Sequence, residues 1–174
     1  MTIWRIMILV LMIGVTLLGT EALLKGEEVA QSSPTQSSPT LQAPAKTVSD
    51  FPSPVQGKPL RVAGEYYSSE MATMLFHPGT DFAQAEGAVI RVKHEGRVTY
   101  AGPDPFLGIK VEVDCGEDWS VIYGGLKNLR VKEGEWVQVN QAIGQIGYYP
   151  DIFGDIEQTH LHYEVWQGDL VQIP

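Results

Sequence analysis

The 174-residue chain has one cysteine, only four histidines and few basic residues. The single cysteine, Cys115, excludes an internal disulfide, so a folded domain must depend on its apolar core. Twelve Lys and Arg residues stand against 21 Asp and Glu residues, which gives a formal net charge of −9. This charge argues against binding of nucleic acid, because phosphate backbones repel it. The sequence also lacks a P-loop, a Rossmann glycine pattern and a G-x-S-x-G nucleophile motif.

One long apolar run is present, and it lies at the N-terminus. Arg5 precedes an uncharged run at residues 6–20. Positive charge before an apolar run orients it with the N-terminus inside. The run is short for a span of about 20 residues, and no A-x-A cleavage site follows it. We expect residues 1–25 to anchor the protein in the cell membrane by a single-pass helix, with an extracytoplasmic C-terminal domain. A cleaved signal that releases a secreted protein is the alternative.

Residues 26–57 are rich in Ser, Pro and Thr, and the motif QSSPT occurs twice in tandem at 31–35 and 36–40. Such a segment buries too little apolar surface to offset the entropy lost on ordering. Its prolines favour extended conformations. We therefore predict a disordered linker that acts as a spacer between the membrane and the following domain.

From about residue 58 the composition changes to short runs of β-branched and aromatic residues, separated by Gly, Asp and Asn. The runs AVIRV, RVTYAG, IKVEV and WSVIY are examples. No segment beyond residue 60 keeps a 3.6-residue apolar period. Residues 58–174 are therefore predicted to form an all-β domain, an antiparallel β-sandwich of many short strands.

Three of the four histidines fall in two short motifs, His77-Pro-Gly-Thr-Asp81 and His160-Leu-His162. On a strand, side chains two residues apart point to the same face, so His160 and His162 are expected side by side. A Pro-Gly turn can bring His77 and Asp81 to a common point. Two histidines and one aspartate make a three-ligand zinc set with a fourth position left for water.

The segments HPGTDFAQAEG, GEWVQVNQAIGQIG and THLHYEV, in this order, resemble the LytM/lysostaphin-type zinc endopeptidases. The resemblance extends over about residues 58–174. It implies a two-layer β-sandwich with a groove above one zinc ion, held by His77, Asp81 and His162. His160 would be the catalytic base. The implied reaction is metal-assisted hydrolysis of peptidoglycan stem or cross-bridge peptides.

One position departs from that family's pattern. The family carries a second catalytic histidine in a Y-x-H-L motif, where this chain reads Tyr123-Gly-Gly125-Leu. Loss of one oxyanion donor typically lowers the rate about 10²- to 10³-fold. The anchor, the spacer and Gly125 resemble a SpoIIQ-like sporulation subgroup, whose degenerate domain binds a partner membrane protein. A non-catalytic scaffold of this kind, and a wall-binding or hydrolase-regulating module, therefore remain alternatives to a working peptidase.

Three tyrosines are candidates for contact with substrate or partner. Tyr148 and Tyr149 lie in the segment before the His160–His162 strand, near the predicted site. Tyr123 is a candidate to replace the hydrogen bond missing at Gly125. His94 is predicted to be an exposed turn residue.

Overall fold

The computed structural model describes residues 45–149, 156 and 158–174. Within them, regular structure consists of one 3₁₀ turn, Val48–Asp50, and thirteen strands that pair antiparallel. The strands are β1 (Pro59–Arg61), β2 (Gly64–Ser68), β3 (Thr73–His77), β4 (Thr80–Ala83), β5 (Val89–Arg91), β6 (Gly96–Asp104), β7 (Gly108–Gly116), β8 (Trp119–Gly124), β9 (Leu126–Lys127), β10 (Trp136–Val137), β11 (Ala142–Ile146), β12 (His160–Gln167) and β13 (Leu170–Gln172). The predicted all-β, antiparallel class is confirmed.

The predicted membrane helix at 1–25, and the predicted linker up to residue 44, lie outside the described residues. In the part of the chain that the structure describes, no helix is both long enough and apolar enough to cross a membrane.

Most strands belong to one large sheet with the order β1-β4-β12-β8-β7-β6-β10, and β13 pairs with β12. A smaller sheet has the order β5-β11-β9, and β2 pairs with β3 as a hairpin. One hydrophobic core contains buried side chains from both the large and the three-stranded sheet. Strand β7 illustrates how its residues contribute to this core: Val111, Val113 and Cys115 are buried, whereas Asp114, between Val113 and Cys115, is exposed. Alternation along the strand thus directs one face of the large sheet into the core.

Strand β12 is buried on both faces. Leu161, Tyr163 and Val165 belong to the hydrophobic core. His160 and His162 alternate with them and are also buried. Because successive side chains point to opposite faces, the two histidines lie on the face away from the core, as their spacing predicted.

The packed domain begins earlier than residue 58. Phe51 is buried in the core, and its ring stacks on Trp119 with the centroids 4.7 Å apart. Val48 and Val55 pack against the same core. The end of the segment predicted as a disordered linker is therefore part of the domain. The segment is rich in Ser and Pro, but its single aromatic side chain, Phe51, fills a core position.

Candidate metal centre

A tight turn joins the first two residues of the site. His77 is the last residue of β3 and Asp81 is the second residue of β4, with a Pro-Gly pair between the strands. A Cβ atom on Gly79 would lie 2.6 Å from His162 Nε2 and 2.8 Å from the carbonyl oxygen of Tyr163. Only glycine allows the turn to approach β12 this closely.

Strand pairing supplies the third residue. In the β4–β12 ladder Asp81 is the direct partner of His162. The Nδ1 atom of His162 lies 2.8 Å from Asp81 Oδ1 and 3.2 Å from His77 Nε2. His77 Nε2 is in turn 3.1 Å from Asp81 Oδ2. One nitrogen of each imidazole and the carboxylate therefore converge on a common point. All three side chains are buried.

The outward-facing nitrogens of both imidazoles have fixed acceptors. His77 Nδ1 donates to the carbonyl oxygen of Val62 at 3.2 Å. His162 Nε2 donates to Glu164 Oε1 at 2.8 Å, and Glu164 Oε2 accepts a hydrogen bond from Trp166 Nε1. Such acceptors set which nitrogen of a ligand histidine faces a metal. They leave His77 Nε2 and His162 Nδ1 directed at Asp81.

The buried charges favour a cation at this point. Burial opposes a charge on His162, but hydrogen bonds to Asp81 and Glu164 outweigh it and raise the pKa of His162 to about 9. Burial also opposes ionisation of Asp81, but its interactions with His162 and His77 overcome this, so the pKa of Asp81 lies well below the usual value. Without a metal, His162 therefore carries a proton on Nδ1 and donates a hydrogen bond to Asp81. A metal ion would replace that proton.

The residues present fit one zinc ion. Ligand atoms about 2.0–2.1 Å from a tetrahedral zinc are about 3.3 Å apart, and imidazole nitrogen and carboxylate oxygen are ordinary zinc donors. The two imidazole nitrogens are 3.2 Å apart, close to that value, and each lies near one oxygen of the Asp81 carboxylate, His162 Nδ1 at 2.8 Å from Oδ1 and His77 Nε2 at 3.1 Å from Oδ2. The structure thus brings together the three residues predicted as ligands: His77, Asp81 and His162.

His160 lies beside this cluster. Its Nε2 atom is 3.9 Å from Asp81 Oδ1. Its Nδ1 atom donates to the carbonyl oxygen of Gln158 at 2.8 Å, which leaves Nε2 as the acceptor. That acceptor takes a hydrogen bond from the Tyr149 hydroxyl at 2.7 Å. An imidazole with an unprotonated nitrogen next to the metal cluster is at the position expected of a general base.

Gly125 follows the end of β8, with a backbone φ of +75°. Its N–H donates to the carbonyl oxygen of Leu107 and its own carbonyl oxygen accepts from the N–H of Gly147, both at 2.8 Å. The backbone amide of Gly125 is therefore already used. It does not replace the side chain that the family carries at this position.

Tyr123, predicted as a substrate or partner contact, does not reach the site. It faces the core, where its hydroxyl donates to His94 Nε2 at 3.1 Å and accepts from the backbone N–H of Lys93. His94 Nδ1 lies 3.1 Å from Cys115 Sγ. His94 is therefore half-buried in a satisfied hydrogen-bonded chain, contrary to the prediction of an exposed turn residue. Burial, with the nearby charge of Lys46, lowers the pKa of His94 to about 4.

A cleft of about 410 Å³ opens at the metal cluster. Tyr149 lines it, whereas Tyr148 is outside it and 68% exposed. Glu164 and Trp166, which no sequence motif predicted, also line the cleft and fix His162. Both follow His162 at intervals of two along the same strand, so strand alternation could have identified them. The lining comprises Arg61, Tyr66, Phe76, His77, Pro78, Asp81, Asp104, Phe106, Leu107, Lys110, Ile122, Tyr149, His160, His162, Glu164 and Trp166.

Comparison with known proteins agrees with this geometry. The profile of peptidase family M23 matches residues 75–173, which include all of the metal cluster and His160. The chain belongs to peptidase family M23. Stage II sporulation protein Q of Bacillus subtilis (strain 168) is 31% identical over 98 residues, which are 55% of this chain and 34% of that protein. Peptidoglycan DD-endopeptidase ShyA of Vibrio cholerae serotype O1 is 33% identical over 89 residues, or 51% of this chain and 20% of that enzyme.

A solved structure has a similar fold. The SpoIIQ–SpoIIIAH pore-forming complex matches with a TM-score of 0.54 and 26% identity, over 64% of this chain and 69% of the matched chain. The chain spans about a third of the length of stage II sporulation protein Q and a fifth of that of ShyA. The similarity is therefore one of the M23 domain.

Proposed function

We propose that this M23 domain binds one zinc ion and hydrolyses peptide bonds in the stem or cross-bridge peptides of peptidoglycan. The observation that carries the proposal is the converging set of His77, Asp81 and His162, with the lone pair of His160 beside it. A set of three protein ligands with an open position is typical of catalytic zinc sites. Structural zinc sites normally have four protein ligands.

In that reaction the zinc ion would activate water and substrate, and His160 would transfer the proton. When bound, zinc polarises the scissile carbonyl and lowers the pKa of water to about 7. His160 takes the proton of the attacking water at Nε2 as the new C–O bond forms. It then returns this proton to the leaving amine as the C–N bond breaks. The hydrogen bond from His160 Nδ1 to Gln158 keeps Nε2 directed at the site.

The cleft supports a peptide substrate. Phe76, Phe106 and Leu107 provide apolar walls, and Asp104 and Lys110 provide charges of both signs that form an ion pair at 3.4 Å. The name of ShyA gives peptidoglycan as the polymer on which a relative acts. We propose that the domain acts outside the cytoplasm, held at the cell membrane by residues 1–25.

A partner-binding scaffold is the second candidate function. It is favoured by Gly125, which removes a side chain from the site, and by the similarity to SpoIIQ, whose structure was solved in complex with SpoIIIAH. In this case the domain would bind a partner membrane protein and any zinc would be structural. The two candidates differ in whether peptide bonds are cleaved.

The test uses the full-length chain, solubilised in a mild detergent, loaded with zinc and incubated with purified peptidoglycan. New amino termini should appear, and His160→Gln should lower their rate of release about 10²- to 10⁴-fold. His160→Gln should still bind zinc as tightly as the wild type, whereas His162→Ala should not. A wild-type protein that retains one zinc ion but releases no amino termini would reject the peptidase and favour the scaffold.

A further inference from the structure

The ring of Tyr149 lies in a slot formed by two glycines. A Cβ atom on Gly125 would be 2.5 Å from Tyr149 Cε1, and a Cβ atom on Gly108 would be 2.9 Å from Tyr149 Cβ. Cβ atoms of real side chains do not come this close to other atoms, so neither position accepts a side chain while Tyr149 is in place. The ring therefore occupies space that a residue at 125 would otherwise take.

The phenol of Tyr149 is directed at the base of the proposed reaction. Because His160 Nδ1 donates to the carbonyl oxygen of Gln158, its Nε2 atom is an acceptor and the Tyr149 hydroxyl must be the donor. The O···N distance is 2.7 Å, which is a short and strong hydrogen bond. The two ring centroids are 4.9 Å apart, and Tyr149 lines the same cleft as the metal cluster.

We propose that Tyr149 is a catalytic residue that supplies the second hydrogen-bond donor of the site, in place of the side chain absent at Gly125. In this interpretation Gly125 has not simply lost a catalytic group. Its missing Cβ makes room for the ring of Tyr149, which brings a hydroxyl to the site from a different segment. The proposal rests on the proposed peptidase function.

The hydrogen bond between Tyr149 and His160 gives the donor a way to act in the transition state. Once Nε2 has taken the proton of the attacking water it can no longer accept a hydrogen bond. The Tyr149 hydroxyl therefore turns away from Nε2 and donates to the developing oxyanion of the substrate, and the proton on Nε2 stays available for the leaving amine. Tyr149 donates a hydrogen bond and keeps its proton throughout. A donor that becomes available only as charge develops stabilises the transition state more than the ground state.

The geometry also predicts that a histidine cannot simply be restored at position 125. A Cβ atom there would be 2.7 Å from the backbone carbonyl oxygen of His160 as well as close to Tyr149. The φ of +75° is strained for any residue with a Cβ. Gly125→His would therefore displace Tyr149 and disturb the strand that carries His160, so Tyr149 itself is the position to change.

The experiment compares the zinc-loaded full-length chain with Tyr149→Phe, which keeps the ring in the slot and removes only the hydroxyl. The exposed Tyr67→Phe, at a tyrosine outside the cleft, is the matched control. We expect Tyr149→Phe to lower kcat about 10²- to 10³-fold with KM little changed, and Tyr67→Phe to change neither. Binding of a phosphinate isostere of a D-alanyl peptide, which mimics the tetrahedral oxyanion, is the second measurement. It should weaken at least about 10-fold in Tyr149→Phe alone.

The outcomes separate this proposal from the proposed function. Equal kcat in Tyr149→Phe and wild type, or a faster variant whose base is merely unblocked, would overturn the role of Tyr149 and retain the peptidase. A wild type without turnover, but with phosphinate binding that depends on Tyr149, would overturn both the peptidase and the catalytic role of Tyr149, and would leave its hydroxyl only as a donor to a bound ligand. Absence of both cleavage and phosphinate binding in the wild type would overturn both.

Discussion

Removal of Glu164 should weaken zinc binding although Glu164 is not a ligand. Its carboxylate is buried, accepts the hydrogen bond from His162 Nε2 at 2.8 Å, and also accepts from Trp166 Nε1. Without it, His162 Nδ1 is no longer held toward His77 and Asp81. Loss of such a partner typically costs about 10- to 100-fold in metal affinity. We expect this loss in Glu164→Ala at pH 9, measured by competition with a fluorescent zinc chelator.

The size of the effect should depend on pH. Glu164 also helps to raise the pKa of His162 to about 9, so below pH 9 the wild-type site must release a proton to bind zinc. Glu164→Ala lowers that pKa and reduces the competition from protons, so the difference between variant and wild type should shrink from pH 9 to pH 7. Glu133→Ala, an exposed turn position, is the control. Equal affinity of Glu164→Ala and Glu133→Ala at pH 9 would refute the role of Glu164.

Three further predictions concern the buried titratable groups. Below pH 9 the zinc affinity of the wild type should fall by up to about tenfold per pH unit, because zinc replaces a proton on His162. The raised pKa of His162 also stabilises the metal-free fold. This contribution is complete below the unfolded-state pKa of about 6.5 and is lost as the pH rises to about 9. A melting temperature of the metal-free protein that does not fall between these pH values would contradict this prediction. Burial raises the pKa of the Cys115 thiol to about 12, opposed by Lys46 and aided by Asp114. A disulfide reagent should therefore modify Cys115 slowly in the native protein and fast in denaturant, and equal rates would show that the thiol is accessible.

Local patterns were sufficient for much of the fold and for the residue types of the metal site. Alternation placed His160 and His162 on one strand face, and the Pro-Gly pair predicted a turn between His77 and Asp81. Neither pattern contains the pairing of Asp81 with His162, which lie 81 residues apart on different strands. Cross-strand register depends on the assembled sheet, so the assignment of His162 as a ligand and His160 as the base came from the family resemblance and not from spacing.

Tyr123 shows where a local rule fails. Tyr123 lies in the same four-residue motif as Gly125 and was a candidate to replace the hydrogen bond missing there, which requires strand alternation to continue through Gly125. Strand β8 ends at Gly124, however, and the positive φ of Gly125 changes the direction of the chain. Alternation therefore does not extend from 123 to 125, and Tyr123 faces the core instead. The position of the Tyr149 ring could not be predicted from the sequence either, because it depends on Gly108 and Gly125 both lying against that ring.

The metal ligands lie on paired strands, whereas the second hydrogen-bond donor lies in the loops. This difference explains why the position of the donor can vary. Asp81 and His162 are direct partners in the ladder between β4 and β12, and Glu164 on β12 fixes His162. A substitution among them would disturb both the sheet and the buried charges. The second hydrogen-bond donor lies outside the regular strands, where positions 125 and 149 reach the same point from two different segments. Loops accept such exchanges more readily than paired strands do. A domain of this kind can therefore keep its metal ligands while the donor moves from one segment to another.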